Sequence, residues 1–67
     1  RAEFIGKHVT YVEERLVAEY TRRNYKDSKE LIYVRIHKTA KSRTVRWTIF
    51  TLDRNDIVTH LIRFQMH

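Results

Sequence analysis

The sequence predicts a small α+β domain, one N-terminal amphipathic helix packed on a three-stranded antiparallel β-meander. Near the N-terminus, Ile5, Val9, Val12, Leu16 and Tyr20 recur at spacings of 4, 3, 4 and 4, which is the helical period. The rest of the chain holds three runs in which apolar and polar residues alternate, the pattern of half-buried strands. The connections between these runs are too short for parallel crossovers, so neighbouring strands run antiparallel.

The helix is expected over residues 5–23. Lys7, Glu13, Glu14, Glu19, Arg22 and Arg23 fall between its apolar positions, and Glu13-Glu14-Arg15 breaks the alternation a strand would need. Glu19 and Arg23 stand at i,i+4, and Arg22 and Arg23 suit a helix C-terminus. Gly6 is a poor interior residue, so the helix is free to begin after it. Residues 24–29 form a polar turn.

The first strand, Glu30 to Lys38, carries Ile32, Val34 and Ile36 in alternation; the second, Thr44 to Leu52, carries Val45, Trp47 and Ile49; the third, Ile57 to Met66, carries Val58, Ile62, Phe64 and Met66. All three are rich in β-branched and aromatic residues. A two-residue turn at Lys41-Ser42 places Ile36 opposite Trp47. A four-residue turn over Asp53 to Asp56, a good turn composition, places Trp47 opposite Ile62. Residues of one face must lie opposite one another, because a one-residue slip turns a strand over. The predicted core is therefore Ile32, Val34, Ile36, Val45, Trp47, Ile49, Val58, Ile62 and Phe64, beneath the helix, with His60 the polar member of that face.

The chain has 67 residues and reads as a single domain, 1–67, with no internal repeat. Apolar residues make up 42% of it, with one Gly and no Pro, which excludes a disordered or linker-rich chain. There is no Cys, hence no disulfide framework or thiolate metal site. No apolar run approaches a membrane span, and no signal peptide or lipidation motif is apparent, so a cytoplasmic setting is expected (the host cytoplasm for a viral chain) with no membrane partner. A domain this small often gains stability by dimerising.

Charge supplies the functional signal. Lys and Arg number 14 against 8 Asp and Glu, giving a pI of about 10.1, the footprint of a nucleic-acid binder. Between Leu31 and Leu52 there is no acidic residue. The predicted register gathers Arg35, His37, Arg46 and Arg63 at one end of the face turned away from the core, beside Lys38, Lys41 and Arg43 at the hairpin tip. Arg46 would then oppose Arg63, and like charges opposite one another destabilise a sheet. A phosphate, a helix carboxylate such as Glu13 or Glu14, or a second subunit would relieve that repulsion, and the Arg fork suits phosphate. Tyr33 and Phe50 on the same face are candidate stacking platforms for the bases of single strands. Alternatively, the basic ribbon would enter a groove of duplex DNA. The other end of that face, Leu31, Phe50, Leu52 and Ile57, or an edge strand, is the expected homodimer contact.

Other chemistry is thin. The four His, at 8, 37, 60 and 67, show no metal-ligand spacing. Asp53-Arg-Asn-Asp56 lacks the Gly and distal Glu of a calcium loop. No phosphate loop or nucleophile signature is present, so no cofactor, metal or catalytic residue is assigned and the chain is not expected to be an enzyme. Arg46 in one strand, a charged turn and Arg63 in the next resemble the terminal hairpin of RelE-type ribonuclease toxins. That resemblance, which lacks the family's longer helical hairpin, implies basic side chains that contact mRNA and act in its cleavage. The leading expectation is a small basic module binding DNA, RNA or another polyanion, as a dimer. The alternatives are a phage- or plasmid-type inhibitor or adaptor that binds an acidic host protein, and a RelE-like toxin.

Overall fold

The computed structural model describes residues 3–66. The order of elements is helix α1 (Val9–Arg15), then strands β1 (Thr21–Asn24), β2 (Lys29–Lys38), β3 (Arg43–Leu52) and β4 (Val58–Met66). The four strands form one antiparallel sheet in the order β1-β2-β3-β4. The α+β class and the meander agree with the sequence; the strand count, the helix length and the face that carries the core do not.

The helix is shorter than expected. Leu16 leaves the helical region at φ −110° and ψ 81°, and Thr21–Asn24, expected as its last turn, pairs instead with Lys29 to Ile32. The polar segment after it is a hairpin turn, closed by the Tyr25 N–H on the Ser28 carbonyl at 2.8 Å. Arg23 lies opposite Glu30 in this hairpin, an opposite-charge pair that favours the strand. Tyr20 is partly buried against the core whichever conformation precedes it, its ring 5.0 Å from that of Tyr33. Apolar spacing alone therefore could not mark the helix end. At the other end, the His8 imidazole accepts from the Thr10 N–H and caps the helix.

Both connections differ in length from the expected turns. Residues 39–42 form a four-residue loop, in which the Thr39 hydroxyl accepts from the Lys41 and Ser42 N–H groups. Ile36 therefore meets Val45, and Val34 meets Trp47. Between β3 and β4 the Asp53 carboxylate caps the N–H groups of Asn55 and Ile57, Asp56 takes φ 63°, and the register slips between Thr51 and Leu52. Trp47 then lies opposite Phe64 rather than Ile62. Each ladder has shifted by two residues, so the faces keep their membership through most of the sheet.

The helix covers the face opposite to the predicted one. The core consists of Phe4, Val9, Val12, Leu31, Tyr33, Phe50, Leu52 and Val58. Phe50 is fully buried, with its ring 5.1 Å from Phe4 and 5.8 Å from Tyr33, both edge-to-face. Of the residues predicted as core, only Val58 is buried. The N-terminal segment is tied to the start of β4: Gly6 donates to the Val58 carbonyl, Val58 to the Lys7 carbonyl, and Val9 to the Asp56 carbonyl. This tether delivers Phe4 and α1 to the end of the sheet formed by Leu31, Phe50 and Leu52. The end proposed from sequence as a homodimer contact is thus filled by the chain's own helix.

A seven-residue helix spans only about 10 Å at 1.5 Å per residue. It covers one end of one face and leaves two regions open. One is the far end of the helix-side face. The other is the whole reverse face, where three rows of apolar residues lie side by side: Ile32, Ile49 and Ile62; Val34, Trp47 and Phe64; Ile36, Val45 and Met66. Trp47, expected in the core, is stacked on Phe64 in the middle of this open face, with ring centroids 5.1 Å apart.

Candidate functional site

Beyond the end of α1, the helix-side face turns basic. The residues that follow the buried Leu31 and Tyr33 on that face of β2 are Arg35 and His37; on β3 they are Thr48, Arg46 and Thr44, and on β4 Arg63 and Gln65. The segment Leu16 to Ala18, leaving the helix, stands over this surface and makes it concave. The cleft has a volume of about 640 Å³, and Arg15, Arg35, Arg46 and Arg63 all line it. No carboxylate does.

The four guanidinium groups differ in their commitments. Arg15 lies over the Tyr11 ring, 4.9 Å from its centroid, and 3.8 Å from the Glu3 carboxylate. Arg46 donates two hydrogen bonds to Gln65 Oε1, at 3.2 and 3.1 Å. Among the described residues, Arg35 and Arg63 take part in none of the four ion pairs and none of the side-chain hydrogen bonds. Arg46 is opposite Arg35 and Gln65, while Arg63 is opposite Thr48. The expected Arg46–Arg63 opposition is replaced by an Arg35–Arg46 one. The helix carboxylates do not relieve it. Glu13 accepts from the Tyr20 hydroxyl and lies 3.9 Å from Arg22, fastening β1 to the helix instead.

At the floor of the cleft lies Tyr33, 7% exposed. Its hydroxyl is buried and has no hydrogen-bond partner, a state that normally destabilises a fold. Burial, with the neighbouring Tyr20 and Glu13 adding to it, pushes the phenol up to about 12. It therefore stays a neutral O–H donor through the physiological range. The hydroxyl faces the Tyr20–Glu13 pair that fastens β1 to the helix, so the anion-binding capacity of the cleft rests on its guanidinium groups.

The remaining sequence candidates fall outside the cleft. His37 joins Arg35, Thr44 and Arg46 around a smaller depression further along the same face. Lys38 and Arg43 are opposite one another at the base of the tip loop, and Lys41 is exposed within it. The stacking role expected for Tyr33 and Phe50 does not survive: both rings are buried beneath the helix segment, so neither presents a face to a base. Sequence reasoning missed Arg15, because the helix was expected over the other face. Among the described residues no cluster of three His, Cys, Asp or Glu side chains suits a metal ion; His67 lies outside them. No helix among the described residues is long and apolar enough to cross a membrane.

Charge is segregated along the molecule. All 8 carboxylates occur before Leu31 or in the turn after Leu52, so the strand residues from Leu31 to Leu52 carry cations and no acid.

Compared with protein families, characterised proteins and solved structures, the chain matches none.

Proposed function

We propose that this chain is a non-enzymatic nucleic-acid-binding module that grips backbone phosphates with its arginine cleft and the basic face leading from it to the hairpin tip. The observation that carries this reading is the convergence of Arg15, Arg35, Arg46 and Arg63 on one concavity without a carboxylate. Arg35 and Arg63 lack protein partners, and a guanidinium fork matches a phosphate oxygen pair. The cationic surface does not end at the cleft. From the Tyr33–Thr48 row to the tip loop it runs about six residues, or about 20 Å at 3.3 Å per residue. A track of that length suits a polyanion better than a single small anion. With Tyr33 and Phe50 buried, the mode of contact is backbone tracking without base stacking, so little sequence preference is expected.

Fluorescence anisotropy with a labelled oligonucleotide, titrated at several salt concentrations, tests this. Four phosphate contacts predict a log–log salt slope of roughly −3 to −4, at about 0.9 per contact on duplex DNA and 0.7 on single strands. Arg35→Ala and Arg63→Ala should each reduce the slope by about one without disturbing the fold. Absence of binding at low salt would refute the proposal. A protein partner captured from lysate that survives nuclease treatment would favour the acidic-partner adaptor. Cleavage of RNA during the titration would favour the ribonuclease reading.

A further inference from the structure

The reverse face of the sheet holds nine apolar residues in three rows and no charge among them. Its central and outer members are well exposed: Phe64 at 46%, Ile62 at 55% and Met66 at 61%. The patch exposes on the order of 600 Å², at the upper limit of what a soluble monomer usually leaves open. We propose that a second copy of this chain covers it, sheet against sheet, in a two-fold dimer. Two such patches remove roughly 1,200 Å² from water, which reaches the range of specific protein interfaces. Stacked sheets pack about 10 Å apart with side chains interdigitated, as in a β-sandwich.

The face carries its own orientation signal. Beyond the apolar rows, one end is closed by Lys38 and Arg43, and the other by the row Arg23, Glu30, Thr51 and His60, in which Arg23 and Glu30 already face one another. A two-fold axis parallel to the strands would lay Arg43 over its own copy. An axis across the strands, beneath the Val34–Trp47–Phe64 row, reverses the ends. Lys38 then lies over Glu30 of the second copy, and Arg43 over Thr51. The Ile32–Ile49–Ile62 row faces the second copy's Ile36–Val45–Met66 row, and the Trp47–Phe64 stack meets its own symmetry mate. Of the two, only this second arrangement keeps Arg43 off its own copy and brings Lys38 to a carboxylate, one that it shares with Arg23 of the second copy. The arginine clefts then open outward on the two sides of the sandwich, with both sheets between them. That separation exceeds a Debye length of about 8 Å at physiological salt, so the net charge of +6 on each chain does not oppose association strongly.

Sedimentation velocity on the wild-type chain, followed over a dilution series, should show a dimer that dissociates to monomer. Phe64→Glu places a carboxylate at the centre of the interface in both copies and should raise the dissociation constant by roughly 100-fold or more. Because Phe64 is half exposed in the single chain, its circular dichroism should remain that of the folded protein. Glu30→Lys and Lys38→Glu should each weaken the dimer several-fold, and the two together should restore it. This exchange of charges keeps the apolar rows intact, so it reports on orientation even if Phe64→Glu fails to fold. A wild-type monomer at high protein concentration would overturn the proposal. So would a dimer indifferent to Phe64→Glu, or a charge-swapped double variant no better than either single one. None of these readouts depends on nucleic acid, so the dimer and the binding module stand or fall separately.

Discussion

Phe50→Ala and Trp47→Ala together distinguish which face of the sheet is the core. The Phe50 ring is fully buried and meets two other rings edge-to-face, Phe4 and Tyr33. Removing a buried Phe leaves a cavity and typically destabilises by about 3–5 kcal/mol, of which each aromatic pair accounts for about 0.5–1.5 kcal/mol. A domain of this length is expected to have a total stability of about 3–10 kcal/mol, so Phe50→Ala should unfold much of the population at room temperature. Phe50→Leu keeps most of the volume and should lose less, about 1–2 kcal/mol. Both effects should be independent of protein concentration, because the ring is buried within one chain. Trp47 lies on the reverse face, and its truncation leaves no enclosed cavity in the single chain. The effect of Trp47→Ala should therefore grow with protein concentration, as the dimer forms. Urea titrations followed by far-ultraviolet circular dichroism, at low and high concentration, measure all of this. A Phe50→Ala variant within about 1 kcal/mol of wild type, or a concentration-independent loss of several kcal/mol in Trp47→Ala, would show that the helix packs on the other face.

Tyr33→Phe removes a buried hydroxyl that has no partner; it should leave stability unchanged or raise it by about 1 kcal/mol and leave oligonucleotide binding unchanged, as thermal melts and anisotropy would report. The phenol's folded pKa of about 12 lies above its ordinary value of 10; its contribution is therefore present below pH 10 and lost as pH rises from 10 towards 12, and alkaline unfolding should move to higher pH in Tyr33→Phe. Asp56 behaves in the opposite sense: the hydrogen bond from Lys29 holds its carboxyl below the usual range, so its contribution is present above the ordinary carboxylate value and lost as pH falls through the lowered one, and Asp56→Asn should flatten the acid limb of a stability profile. Lys41→Ala and Arg43→Ala at the tip should each reduce the salt slope by up to about one if the phosphate track reaches that far, without shifting the melting temperature. Thr39→Ala removes the acceptor for two loop N–H groups and should destabilise by about 1 kcal/mol, measured by urea titration.

β2, β3 and β4 were legible in the sequence because alternation in Ile32 to Ile36, Val45 to Ile49 and Ile62 to Met66 has a single structural meaning; β1, Thr21–Asn24, was not, and read as the last turn of the helix. The choice of core face was not, because both faces of this sheet are apolar at one end. Leu31, Tyr33, Phe50 and Leu52 form one set, and Ile32, Val34, Trp47 and Ile49 the other. Alternation assigns residues to faces and says nothing about which face the helix takes. That choice rests on backbone hydrogen bonds from Gly6, Val58 and Val9, which no residue pattern announces. The early helix end was hidden for a related reason: Tyr20 packs beside Tyr33 from an extended segment as readily as from a helix. The basic cluster, by contrast, was largely legible. Arg35, Arg46 and Arg63 share a face under either register, since a shift of two residues preserves it. Arg15 was not, because it reaches the cleft only when α1 sits on the basic side.

A short helix on long strands has a consequence for where charge can reside. Strands of nine or ten residues extend roughly 30 Å at 3.3 Å per residue, while α1 shields only a third of that length. The uncovered part of the helix-side face must be polar to stay soluble, and here its polarity is almost entirely cationic. A mixed-charge surface would have met that need with internal ion pairs, and the helix end of the molecule does so with Lys29–Asp56, Arg54–Asp27 and Arg22–Glu13. At the far end Arg35 stands opposite Arg46 without an acid nearby, an arrangement that raises the energy of the free protein. Solubility explains polarity there but not the exclusion of every carboxylate from Leu31 to Leu52. An external anion explains both the exclusion and the repulsion it leaves behind. Arg46→Glu separates the two accounts. If the face serves only solubility, the change sets a carboxylate opposite Arg35 and stabilises the protein with no other effect. If the face holds phosphate, the same stabilised protein loses binding at every salt concentration, and retention of wild-type affinity by a folded Arg46→Glu variant would refute the phosphate site.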